Sequence, residues 1–131
     1  MQLGISARNA RLDAIETAVG ASPLLKIMTG SAPADCATAS TGTVLVTMTL
    51  PSDWMSAASA GSKAKLGTWQ DTSADATGTA GYFRIFDSAG SVCHIQGTVT
   101  LTGGGGDMTL DNTSIATGQS VTIATFTLTD G

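Results

Sequence analysis

From Gly81 to Phe86 the chain reads GYFRIF, and alternate positions separate by face. Phe83 and Ile85 fall on one side of an extended strand; Tyr82, Arg84 and Phe86 fall on the other. The next extended run carries Cys93, Ile95, Val99 and Leu101 on one face, and His94 and Gln96 on the other. Between the two, Asp87-Ser88-Ala89-Gly90-Ser91 is turn chemistry, with Gly90 suited to positive φ. The pattern predicts a β-hairpin at the centre of a β domain. Thr43 to Leu50 predicts another strand, with Val44, Val46, Met48 and Leu50 alternating with threonines. Leu24 to Met28, Lys63 to Trp69 and Met108 to Leu110 predict further strands. Ser120 to Thr129 predicts a last one, ending at Asp130-Gly131. Its parity changes midway: Val121 and Ile123 sit at odd positions, Phe126 and Leu128 at even ones. A β-bulge near Ala124-Thr125 would return all four to one face.

One segment has a different period. Leu12, Ile15 and Val19 recur at helical spacing, which predicts a helix from Ser6 to Val19. Ser6 is placed to cap it, Ile5 to staple back from outside, and Gly20 to fill the position after its end. Arg8, Asn9, Asp13 and Glu16 point elsewhere; the last two lie toward the end where the helix dipole does not favour acids. The stripe of Ile5, Leu12, Ile15 and Val19 resembles a coiled-coil seam, although Arg8 occupies one of its inner positions. Ala21-Ser22-Pro23 reads as a short spacer. The expected organisation is a helical arm over residues 1–21 and a β domain over residues 22–131, with the arm's stripe as an assembly interface. The competing reading packs that stripe on the chain's own sheet. The fold class expected is mainly β: a sandwich or partly open barrel of about seven or eight strands plus the N-terminal α-helix.

Composition narrows the partners. Only 12% of the residues are charged, against about 25% in a typical soluble domain. The net charge is −4 and the six cations are scattered, which argues against nucleic-acid binding. No apolar run is long enough to span a bilayer. The start of the chain lacks the apolar core of a secretory signal, which places synthesis in a cytoplasm. A surface rich in Thr, Ser, Gly and Ala and poor in charge suits a protein packed into an assembly.

Candidate chemistry is sparse. His94 is the only histidine, and pairing it with Asp87, Asp71 or Asp75 would make a catalytic couple. No G-x-S-x-G elbow accompanies it, and a strand histidine is more often a surface or interface residue. Asp71 and Asp75 share a short loop but lack the ligand spacing of a calcium site, so Asx-type turns are the simpler reading. Gly103 to Gly106 lacks the Lys-Ser/Thr of a phosphate loop and reads as a loop tip or a site of close backbone approach. Cys36 and Cys93 are either one disulfide or two buried thiols. A cytoplasmic setting and the apolar company of Ile95 and Val99 favour thiols. Trp54, Trp69, Met48 and Met55 read as core. No cofactor and no metal is expected.

Larger runs carry a resemblance. GTWQDTSADATGTAGYFRIFDSAGSVCHIQGTV, GGGGDMTLDNTSIATGQSVTIATFTLTDG, RNARLDAIETAVG, LLKIMTGSAPADC and GTVLVTMTLPSDW together cover most of the chain. They resemble a family of small virion structural proteins of tailed bacteriophages and prophages. The resemblance implies a non-enzymatic virion component, made in the host cytoplasm and functioning in the particle. Its expected partners are the major capsid protein or other virion proteins and further copies of itself, with no nucleic acid and no membrane. Decoration or cementing of the head is the expected role. A tail, collar or fibre-associated role is the alternative, and a host-surface or carbohydrate-binding module is the alternative of another class.

Overall fold

A computed structural model of the chain describes residues 1–129. It is mainly β, with one N-terminal helix, a strongly curled sheet and two small sheets. The helix α1 spans Ile5–Val19. Ten strands follow: β1 Leu24–Thr29, β2 Val44–Thr49, β3 Ser62–Ala64, β4 Trp69–Asp71, β5 Gly78–Phe86, β6 Cys93–Leu101, β7 Met108–Leu110, β8 Ser114–Ile115, β9 Val121–Ile123 and β10 Thr127–Thr129. The main sheet runs β2-β1-β5-β6-β7, with β8 pairing β5; β3 pairs β10, and β4 pairs β9.

The expected hairpin, β5 with β6, lies at the centre of the main sheet. Phe83 and Ile85 sit opposite Ile27 and Leu25 of β1, which in turn face Val46 and Met48 of β2. These residues form the inner wall of the core, with Val99, Met108 and Leu110 continuing it. Trp54, Trp69 and Phe126 fill the interior: Trp69 lies 5.5 Å from Phe126, and Phe126 meets Phe83 edge-on at 5.5 Å. Such tilted ring pairs add to the apolar burial. Ile95, expected in the core, is only partly buried against it.

Three strand expectations are revised. Lys63 to Trp69 is not one strand: Gly67 turns with φ 75° and separates β3 from β4. Val44 to Leu50 does not alternate throughout, because the register against β1 shifts between Ile27 and Met28. The bulge turns Leu45 inward beside Val46, and both are buried. The parity break at Ala124-Thr125 is real but is not a bulge. There the chain leaves one small sheet for the other, β9 pairing β4 and β10 pairing β3. The expected end of that last strand, Asp130-Gly131, lies outside the described residues.

The helical arm is also corrected. Gly4, not Ser6, holds the N-cap position, and no side chain caps it. The spacer is a tight turn: Ser22 takes φ 48°, Pro23 is buried, and the Pro23 carbonyl accepts the Leu50 N–H at 2.9 Å. The helix therefore folds back on its own domain. Leu12 and Val19 are buried within the chain, Val19 as part of the core, with Ile15 packed against it. Of the four residues expected to form an assembly stripe, only Ile5 stays well exposed.

The polar face completes the docking. Lys63 of β3 is 1% exposed and reaches Asp13 at 2.7 Å and Glu16 at 2.8 Å. Its third acceptor is the Ser56 carbonyl at 2.8 Å. Asn9 accepts the Gly61 N–H, Asp13 accepts the Ala58 N–H, and the Trp54 indole donates to the Gly20 carbonyl. The two acids that sit badly against the helix dipole are there because a buried ammonium requires them.

The four glycines meet both expectations placed on them. Gly103 and Gly105 take φ 87° and 83°, while Cβ atoms at Gly104 and Gly106 would lie 2.8 Å from Thr100 Oγ1 and its Cγ2, respectively. The run thus alternates left-handed turns with close backbone approach. That lets six residues return the chain from β6 to a parallel neighbour, β7, whose Met108 pairs with Val99.

Candidate functional site

The pairing of His94 with a carboxylate, which the sequence disfavours, is not made by Asp87, whose carboxylate is engaged in its own turn. His94 is the extra residue of a second bulge: Ile85 pairs with Ile95 and Phe86 with Cys93, which leaves His94 between them, exposed. Asp87 is nearby, but its carboxylate accepts the N–H groups of Ser91 and Val92 and the Ser91 hydroxyl, closing the hairpin turn. The Ser91 and Val92 N–H bonds hold the Asp87 carboxyl below its ordinary value. Asp71 and Asp75 lie beside β2, two strands away from β5. Asp71 accepts the Ser73 N–H in an Asx turn and the Thr47 N–H of β2; Asp75 accepts the Thr47 hydroxyl and donates its own N–H to Leu45. These carboxylates cover the edge of β2. Among the described residues, no group of three or more His, Cys, Asp or Glu is placed to hold a metal, and no helix is long and apolar enough to cross a membrane.

The bulge at His94 also decides the cysteines. It shifts Cys93 off the face of Ile95 and onto that of Phe86, the outer side of the sheet. There it is bonded to Cys36, with the two Cα atoms 5.3 Å apart. The favoured pair of buried thiols is thereby corrected. Period-two counting placed Cys93 on the wrong face because it could not see the extra residue.

The bond pins a loop, residues 30–43, across the outer face. Beneath it, Met28, Tyr82, Arg84 and Phe86 are buried outside the main core. The Tyr82 hydroxyl donates to the Thr41 carbonyl at 2.6 Å and accepts the Thr41 N–H at 3.0 Å. Gln96 donates to the Pro33 carbonyl at 2.8 Å. The Arg84 guanidinium donates to Gln96 Oε1, Ser40 Oγ and the Asp35 carbonyl, all within 3.1 Å. All of its acceptors named here are neutral. The sequence pattern showed which face Arg84 takes but not that a loop would bury it.

The opposite flank of the hairpin is open. Phe83 and Phe126 form the floor of a cleft of about 290 Å³ between β6 and β10, walled by Ile95 and Gln96 on one side and Thr127 to Thr129 on the other. Asp107 stands at its border and accepts the Thr98 N–H and hydroxyl of β6. Phe83, Ile95, Phe126 and Leu128 read in the sequence as strand residues, and nothing in the pattern joins them at a cleft, since Thr127-Leu128-Thr129 reads as part of one last strand. Only the split of the last strand, visible as a parity break, hinted that β10 stands apart.

Comparison of the chain with models of protein families, with curated proteins and with solved structures finds no match.

Proposed function

We propose that this chain is a non-enzymatic structural protein of a tailed-bacteriophage particle, acting as a decoration or cement protein on the head. The observation that carries the reading is the cleft between β6 and β10. There, among the described residues, each strand lacks a pairing partner along the cleft, and the half-buried Ile95 and Leu128 stand over the buried Phe83 and Phe126. The sparse charge of the chain and its resemblance to small virion proteins support it. Cementing works by adding modest contacts that symmetry repeats over a shell, so no single contact has to be strong. The alternative of a carbohydrate-binding module draws no support from the aromatic residues. Trp54, Trp69 and Tyr82 are all 0% exposed, and such a module needs aromatic faces in a groove.

The test is cryo-electron microscopy of a phage particle that carries the chain, paired with a deletion. Density on the capsid surface is expected, and particles without the chain should assemble but break sooner under heat or osmotic shock. Robust full heads that lack tails, or that fail to adsorb, would assign the chain to the tail instead.

A further inference from the structure

β6 pairs with β5 along Cys93 to Thr98, but with β7 only from Val99 onward. Its stretch around Ile95 to Gly97 therefore has a strand on one side only. β10 pairs only with β3 among the described residues. The Lys65 N–H donates to the Phe126 carbonyl at 2.9 Å. Backbone groups of an antiparallel strand point alternately toward and away from the partner. Phe126 and Leu128 thus address β3, while Thr127 and Thr129 turn their N–H and carbonyl groups toward the cleft. The edge of β2 is covered by Asp71 and Asp75. Among the described residues β10 has no such cover and carries no charge, proline or bulge, the usual guards of an exposed edge, while on the β6 side the Thr98 N–H is taken by Asp107.

We infer that the cleft takes one extended segment of a different polypeptide, added as a strand between β6 and β10. This rests on the assembly reading above and specifies its contact. With a strand on each side, the cleft admits a free arm or loop but not an edge backed by its own sheet. The inserted segment alternates: small or medium apolar side chains turn inward between the half-buried Ile95 and Leu128, above the buried Phe83 and Phe126, and polar ones face out. Asp107 is the one ionisable residue lining the cleft among the described residues. A lysine or arginine beside the inserted stretch therefore fits, and an acid does not.

The full chain can be extended through a flexible Gly/Ser linker by the hexapeptide KVTVTV. The linker holds the peptide at roughly millimolar effective concentration, and strand addition depends mainly on backbone bonds. Amide exchange at Thr127 and Thr129 should slow about tenfold or more relative to a KPTPTP extension, whose prolines cannot complete a ladder. Equal exchange in the two fusions would overturn the inference. A glutamate in place of the leading lysine should weaken the protection; undiminished protection would overturn the assignment to Asp107. Slow exchange in the unextended chain that grows with concentration, together with a rising mass in ultracentrifugation, would give the site to a second copy and overturn the choice of a different polypeptide. A protected strand in a chain absent from phage particles keeps this site and sinks the virion reading; a capsid-bound chain with an empty cleft does the reverse.

Discussion

At the scale of single residues, Phe83 joins the hairpin to the interior. It is 1% exposed and meets Phe126 edge-on. Phe83→Ala should lower unfolding free energy by about 3–5 kcal/mol in urea titration. Hydrogen-bonded charges, one buried and three at the surface, set a pH window. Burial works against the Lys63 ammonium, but the hydrogen bonds to Asp13 and Glu16 prevail and hold it above its ordinary 10.5. Hydrogen bonds from Lys63 and then from the Ala58 N–H hold the Asp13 carboxyl below 3.8. Asp35, bonded by the Thr38 hydroxyl and N–H, and Asp87 are lowered likewise. A raised lysine contributes fully below 10.5 and loses its contribution as pH rises through the folded value. Lowered aspartates contribute above 3.8 and lose theirs as pH falls through the folded values. Melting temperature should therefore be level between these limits and fall beyond each. Asp13→Asn should flatten part of the acid limb in a pH series of thermal melts.

The inward set of Phe83, Ile85, Val46 and Met48 was legible because a half-buried strand sorts its side chains by parity. Lys63 and Arg84 were not. A buried cation contradicts the polar-out pattern, and only its acceptors explain it. Those acceptors come from residues far along the chain, Asp13 and Glu16 in one case and the loop around Asp35 and Ser40 in the other.

At the scale of elements, the helix and the outer loop are both held by polar contacts over an apolar remainder. Removing residues 1–21 takes Leu12 and Val19 from the interior and leaves Lys63 without its two carboxylates. A chain starting at Ser22 should lose cooperative melting in circular dichroism. Survival of a sharp transition near that of the full chain would restore the independent arm. The helix itself was legible from its period, but its docking was not, since half of the contact is made by the face that looked solvent-directed. The loop over residues 30–43 hangs on Cys36–Cys93, which closes a sequence separation of 57 residues. Cys36→Ser with Cys93→Ser should cost about 2–4 kcal/mol under oxidising conditions. The same pair of changes should cost nothing beyond the solvent effect when the wild-type chain is compared in reductant.

At the scale of the whole molecule, the long-range pairings set the architecture. A β-rich domain was legible from seven named runs, but the described chain has ten strands because two of those runs each divide and the two-residue β8 forms where the sequence reads as a turn. The halves of the divided runs, three residues apiece, pair crosswise, β3 with β10 and β4 with β9. Strands this short carry too little pattern to name a partner, so the pairing is fixed by the aromatic interior that they enclose. One further property follows from the covalent tie across the outer face. If the chain were drawn out by its two ends, tension would pass from Cys36 directly to Cys93, and the intervening stretch would carry none of it. That stretch holds β2 through β5. In an optical trap the oxidised protein should fall short of the reduced one by about 200 Å of contour length. Mechanically the molecule is a closed ring with two tails that take the load: pulling strips α1, β1 and the strands after Cys93 from the core, while the stretch inside the ring is never drawn out unless a covalent bond fails.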